Sequence, residues 1–245
     1  PMDVAKCHPV RKSKQQKEAF RQDVTSWLEH LGYEVHTEKG SFGSRNLVIG
    51  NPQSSKFLVT AHYDTCARLP FPNLITPCNF WLFLLYQIFV CAVLLLPAAA
   101  IGAVAGWLLH SPGMGYLFSI LLWAELLLML IGPANPSNAN DNTSGVVTLL
   151  ALAGSLPPEN RKDVCFVLFD LEEAGLIGSS SYQSKHKKET AHQLVLNLDC
   201  VGEGDDLCFF PTAKVKKDKG QLAQLQQLEE TYGAKTLTVQ AAGFA

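Results

Sequence analysis

Four stretches of this 245-residue chain end in side chains able to bind a cation or move a proton. The strand-like run Phe57–Ala61 leads into His62-Tyr63-Asp64, and Asn140-Asp141-Asn142 precedes a run with helical apolar spacing. Val164–Leu171 is followed by Glu172-Glu173, and Leu194–Leu198 by Asp199. Carboxylates a few ångströms apart cannot all ionise unless a cation compensates them, so a cation is the simplest reason to gather them. One imidazole with several carboxylates suits zinc or another divalent first-row ion. Asp64, two residues past His62, is placed to accept the other ring N–H and fix the tautomer. Each residue also has a plainer reading: Asp141 as a helix N-cap, Glu172-Glu173 as a solvated loop, His62 as a satisfied strand-end histidine. Four successive elements delivering such groups in order argue against coincidence.

The elements that must position them alternate. Lys14–Leu31 has apolar residues at helical spacing, with Gly32 as its stop, and short strand candidates follow at Glu34–Thr37, Asn46–Ile49 and Phe57–Ala61. Helices are expected over Thr143–Leu156 and Gly178–His186. The continuous apolar runs Val164–Leu171 and Leu194–Leu198 read as strands buried on both faces. Leu207–Phe210, a polar helix over Gly220–Thr231 and a strand over Thr236–Gln240 complete the chain, with the basic run Lys214–Lys219 as a solvated loop. The class is α/β: a three-layer sandwich whose mostly parallel (mixed) central sheet is flanked by helices. In such folds ligands gather at the carboxyl ends of the strands, where the acidic groups lie.

A formal charge of −2 argues against nucleic acid as the main partner, because a phosphate-reading surface needs a basic excess. Charged residues make up 17 % of the chain, and the deficit is local: residues 69–140 hold one, Glu125. Asn79–Leu109 and Met114–Gly132 are each long enough to cross a hydrocarbon core of ~30 Å, and the short link His110–Gly113 makes them a helical hairpin. Pro97 implies a tilt or kink in the first span, and Glu125 is expected to face the partner helix and bond Gln87 or a backbone carbonyl. The expected organisation is a first part of the polar domain over residues 1–68, an inserted transmembrane hairpin over 69–137 (spans about 80–109 and 114–132), and a second part over 138–245. The protein is thus expected in a bilayer, with two spans. Arg68 at the entry and seven scattered cysteines without CxxC spacing favour a cytoplasmic polar domain. Oligomeric state is not legible.

Taken together, HYD at 62–64, NANDNTSGV at 138–146, FDLEEAGLIGSSSY at 169–182 and NLD at 197–199 resemble the M28 family of zinc aminopeptidase-like hydrolases, over roughly residues 14–210. The resemblance implies two zinc ions and a peptide substrate. It places His62 and Asp199 on one metal, Asp141 as the bridge, Glu173 on the second metal, Glu172 as general base and Asp64 behind His62. It also implies a non-proline cis peptide at Asp141-Asn142. The 79 positions between His62 and Asp141 depart from the family's short loop, but a hairpin returns both ends to one site. The family's second histidine, downstream of Asp199, has no counterpart after His192, so the domain is expected to continue past Ala245, and the chain as given to be inactive. The same motifs resemble glutaminyl cyclases, which use one metal and transfer no water. A non-catalytic membrane receptor or scaffold of this ancestry and a transporter component are further alternatives. Asn142-Thr143-Ser144 matches a glycosylation acceptor, but inside the presumed metal loop it reads as chance.

Overall fold

Ser13 starts the first long helix with a reciprocal capping box: its hydroxyl accepts from the Gln16 amide, and the Gln16 side chain accepts from the Ser13 amide. The computed structural model that shows this describes residues 3–72, 74, 79–110 and 114–236. Its elements run α1 (Val4–Cys7), α2 (Lys14–His30), β1 (Val35–Lys39), β2 (Arg45–Ile49), β3 (Phe57–His62), α3 (Phe80–Leu109), α4 (Met114–Ile131) and α5 (Gly145–Ser155). There follow β4 (Val164–Phe169), α6 (Ile177–Lys185), α7 (Lys187–Thr190), β5 (Leu194–Asn197), β6 (Cys208–Phe209), α8 (Ala213–Lys217), α9 (Lys219–Tyr232) and β7 (Lys235–Thr236). By contacts the chain divides into two units, Pro1–Arg68 with Leu130–Glu203 and Leu69–Met129 with Gly204–Ala245.

In the first unit five strands form one mixed sheet, in the order β1-β2-β4-β3-β5. β4, β3 and β5 run parallel, while β1 and β2 join as an antiparallel hairpin whose second strand pairs with β4. The period of two sends alternate residues to opposite faces. Leu47, Ile49, Val59, Ala61, Phe166 and Leu168 pack with Phe20, Val24 and Leu28 of α2 and with Val146, Leu149 and Leu150 of α5. Val48, Leu58, Cys165, Val167 and Phe169 face the other way and pack with Tyr182 of α6. The expected α/β layering with helices on both faces is therefore present. One strand departs from expectation. β5 is not buried on both faces: among the described residues it pairs only with β3, and Val195 and Leu196 are 48 % and 43 % exposed.

The apolar segment leaves and re-enters through a paired neck. The Arg68 amide donates to the Pro133 carbonyl (2.7 Å), the Asn135 amide to the Cys66 carbonyl (3.0 Å), and Ala67 bridges Ala134 antiparallel. In the second unit α3 is long and apolar enough to cross a membrane. The second apolar helix is shorter than the sequence implied. It closes at Ile131 because Gly132 and Pro133 follow, and its apolar stretch Tyr116–Ile131 rises about 24 Å. His110 caps α3 in the left-handed region, while 111–113 of the expected link lie outside the described residues. Glu125 Oε2 is buried without a hydrogen-bond partner among the described residues, so that oxygen does not bond Gln87 or a carbonyl. The basic run is not a loop throughout: Thr212 caps α8, which takes in Lys214–Lys217. Only Lys235–Thr236 of the last expected strand is described, with 237–240 lying outside, as does Cys78. The other six cysteines are free thiols.

Candidate metal centre

His62 is the last residue of β3, and the parallel ladder continues one step beyond it, with the Tyr63 amide donating to the Phe169 carbonyl (2.9 Å). Alternation then buries Tyr63 in the core under α2 and returns Asp64 to the His62 side. The Asp64 carboxylate accepts the Glu172 amide on Oδ1 (3.0 Å) and the Glu173 amide on Oδ2 (3.2 Å), which fixes the turn after β4 against the exit of β3. The Glu172 carboxylate is held from the far side, its Oε2 accepting from the Ser179 hydroxyl of α6 (2.9 Å). Asp170 anchors the start of the same turn, accepting from Lys17 Nζ (2.7 Å), the Arg45 amide (2.9 Å) and the Leu171 amide (2.9 Å).

The loop before α5 brings the remaining groups together. Asn142, fully buried, donates from Nδ2 to the Leu198 carbonyl (2.9 Å) and accepts the Gly145 amide on Oδ1 (3.0 Å). Asn140 Oδ1 accepts the amides of Gly202 (2.9 Å) and Glu203 (3.1 Å). This loop thereby clamps the exit of β5, so Asp141 and Asp199 come side by side. Gly145 cannot carry a side chain there, because a Cβ would lie 2.4 Å from the Leu198 carbonyl oxygen. The Asp141–Asn142 peptide bond is cis, as the family resemblance implied. Burial of Asn142 leaves no room for a glycan on the folded chain.

The resulting distances are short. His62 Nε2 lies 3.2 Å from Asp141 Oδ1 and 4.0 Å from Asp199 Oδ1, and one ligand atom from each of the three fits within 4.8 Å of the others. His62 Nδ1 is 3.6 Å from Asp64 Oδ1, an electrostatic contact rather than the hydrogen bond expected from the sequence, since the Asp64 oxygens are turned to the two amides. Among the described residues, His62 Nδ1, Glu173 Oε1 and Asp199 Oδ1 are buried with no hydrogen-bond partner. Such orphaned polar atoms are costly unless something outside the chain satisfies them, and a divalent ion does so for carboxylate oxygens. The donor set, one imidazole with carboxylates, fits zinc.

Electrostatics agree with the distances. Burial, with the neighbouring Asp141 charge adding to it, pushes the Glu173 carboxyl up to about 8. Burial also raises Asp199, with Asp141 adding to the effect against the pull of His62, and it raises Glu172 despite the Ser179 hydrogen bond. Burial alone would lower His62, but its contact with Asp141 and the charges of Asp64 and Asp199 hold it well above the ordinary histidine range.

Of the six sequence-predicted residues, His62, Asp141 and Asp199 thus converge at the rim formed by β3, β4 and β5; Asp64 lies behind His62 and holds the Glu172 and Glu173 amides, while the Glu173 carboxylate stands outside the three-residue group. Sequence reasoning missed Arg11. Its guanidinium is completely buried and donates to the carbonyls of Tyr63 (2.6 Å) and His8 (2.7 Å) and to the Thr143 hydroxyl (2.9 Å). It thereby ties the exit of β3 to the Asp141 loop. Ser179 and Asn142 lay inside motifs already quoted and could have been found there.

Residues 127–244 match the sequence profile of peptidase family M28, a stretch that begins after His62 and Asp64. No curated protein matches the chain significantly. Among solved structures, the LapA aminopeptidase of Legionella pneumophila superposes with a TM-score of 0.51 at 16 % identity, covering 94 % of this chain and 50 % of that one. The glutaminyl cyclase of Porphyromonas gingivalis superposes with a TM-score of 0.53 at 17 % identity, covering 96 % and 71 %. This chain therefore spans about half the length of LapA, and at these identities the likeness is one of fold. Over residues 127–244 the chain thus matches peptidase family M28, and its α/β fold is similar to that of these solved aminopeptidase and cyclase structures.

Proposed function

We propose that the protein is a metal-dependent exopeptidase of the aminopeptidase type, acting on peptides with zinc as the cofactor. One observation carries the reading: His62, Asp141 and Asp199 converge within 4.8 Å beside orphaned buried oxygens of Glu173 and Asp199. His62, Asp141 and Asp199 would hold one ion, and Glu173 with Asp141 a second. The chemistry bound ions supply is polarisation of the scissile carbonyl and a water of lowered pKa. Glu172 serves as general base. Burial raises its carboxyl toward neutrality, which suits a group that must take a proton from water at Oε1 or Oε2 and pass it to a leaving amine. Ser179 and the Asp64–amide contacts hold that carboxylate in place, and Asp64 also steadies His62 electrostatically. Glu172→Gln, which keeps the shape but cannot hold the proton, is expected to retain zinc and lower kcat by about 10²–10⁴-fold. An E172Q protein with undiminished turnover refutes the assignment. The fold likeness to a glutaminyl cyclase favours a second reading, in which a peptide starting with Gln yields pyroglutamate instead of a freed amino acid.

The reading extends to a bilayer. The neck pairs Cys66–Arg68 with Pro133–Asn135, so the chain starts and ends its apolar excursion at one place. If α3 crosses, α4 must bring the chain back, and its 18 residues rise about 27 Å, enough when the bilayer thins locally. The polar domain would then be tethered to a membrane, on its cytoplasmic side.

A further inference from the structure

A cavity lined by basic residues, away from the acidic site, opens between the start of α2 and the β1–β2 hairpin. It measures about 520 Å³, and Lys12, Lys14, Lys17, Arg21, Lys39 and Arg45 line it. Three of these cations have carboxylate partners: Lys17 bonds Asp170 (2.7 Å), while Arg21 and Arg45 (2.9 Å) share Glu18. Two acids against six bases leave a surplus of four positive charges around one concave space. Lys14 and Lys39 are exposed and project from the first residue of α2 and the last of β1. Gathering like charges around one concave space costs free energy, and an anionic occupant would offset it.

We infer that this basic cavity binds a phosphate-bearing anion. Phosphate oxygens accept several charge-assisted hydrogen bonds at once, and lysine with arginine is the side-chain set that supplies them. Two features at the rim favour a lipid headgroup as the source. Lys12 donates from Nζ to the carbonyl of Leu130 (2.9 Å), so this cation sits at the end of the apolar helix α4. Phe42, at the tip of the β1–β2 hairpin, is 89 % exposed and lines the same cavity, an aromatic with no core to fill. The turn that lines the cavity with Asp170 and Leu171 continues into Glu172 and Glu173, so the occupant would sit one turn from the acidic site. The inference does not depend on the metal reading, since none of the cations belongs to the acidic cluster.

The test uses the whole chain in detergent micelles and four probes: water-soluble dioctanoyl phosphatidylinositol bisphosphate, its free inositol trisphosphate headgroup, pyrophosphate, and dioctanoyl phosphatidylcholine as control. The bisphosphate lipid is expected to bind, and Lys14→Gln/Lys39→Gln to weaken it about tenfold or more. The doubly substituted protein should melt as the parent does, because both side chains are exposed. Lys187→Gln/Lys188→Gln, which removes the same charge from α7, should leave binding unchanged. Acyl chains that tighten binding at least about tenfold over the free headgroup identify a lipid ligand; equal binding of headgroup or pyrophosphate identifies a soluble phosphate, and either supports the site. Binding of no phosphate probe above the phosphatidylcholine control overturns it, as does binding untouched by K14Q/K39Q.

Discussion

Removing metal and raising pH should together unsettle the acidic rim, and the structure fixes the sign. Glu173 in the folded chain is raised from 4.5 to about 8, mainly by burial. Between those values the folded state binds a proton that the unfolded state has released. Stability from this group is therefore fully present below about pH 4.5 and falls as pH rises through about 8. Glu172 and Asp199 are raised as well, and His62, also raised, loses its contribution only above its unfolded value of 6.5, so all four slopes have one sign. At 1.36 kcal/mol per unit, Glu173 alone contributes about 3–5 kcal/mol over this window, which for a chain of this size is a fall in Tm of about 10 °C between pH 5 and 8. Zinc needs ionised carboxylates and a neutral imidazole, so loading the site should cancel the slope and release about one to two protons per chain near pH 7. Thermal melts with chelator and with zinc give the first quantity. Calorimetric titration in buffers of different ionisation enthalpy gives the second. A metal-free chain that melts higher at pH 8 than at pH 5, or zinc uptake without proton release, would show that these carboxylates are not held apart for a cation.

Arg11→Met leaves the Tyr63 and His8 carbonyls and the Thr143 hydroxyl without their donor in a dry site, so a loss of about 2–5 kcal/mol in denaturant melts is expected. Because Arg11 ties β3 to the Asp141 loop, zinc affinity should fall with it; R11M that keeps both stability and affinity would remove its positioning role. For the bilayer, His110→Cys at the tip of the apolar excursion should react with an impermeant maleimide from the face opposite Cys7, and reaction of both from one face would exclude two crossings.

The acidic rim was legible in the sequence because each of its members ends a strand or precedes a helix, where period and chain direction dictate the edge. His62 follows five strand residues and Asp199 follows β5 closely, so parallel pairing alone brings both to the same rim. Arg11 was not legible for the opposite reason. It lies in a segment rich in Lys and Arg that reads as solvated, and its partners are mostly backbone carbonyls and a hydroxyl 3, 52 and 132 positions away. No pattern in composition marks a cation that is spent on main-chain oxygens. β5 failed on different physics: a continuous apolar run announces a strand, but whether its faces are covered depends on neighbours in space, and here β3 is its one sheet partner among the described residues. The basic cavity escaped as well, since Lys12, Lys14 and Lys17 come from α2 and its approach, whereas Lys39 and Arg45 come from the facing hairpin. Along the chain they are ordinary surface charges, and only the antiparallel register that sets Lys39 opposite Arg45 concentrates them. The acidic and the basic site thus differ in how they are encoded. One is written in strand ends, which a sequence displays, and the other in the meeting of a helix start with a hairpin, which it does not.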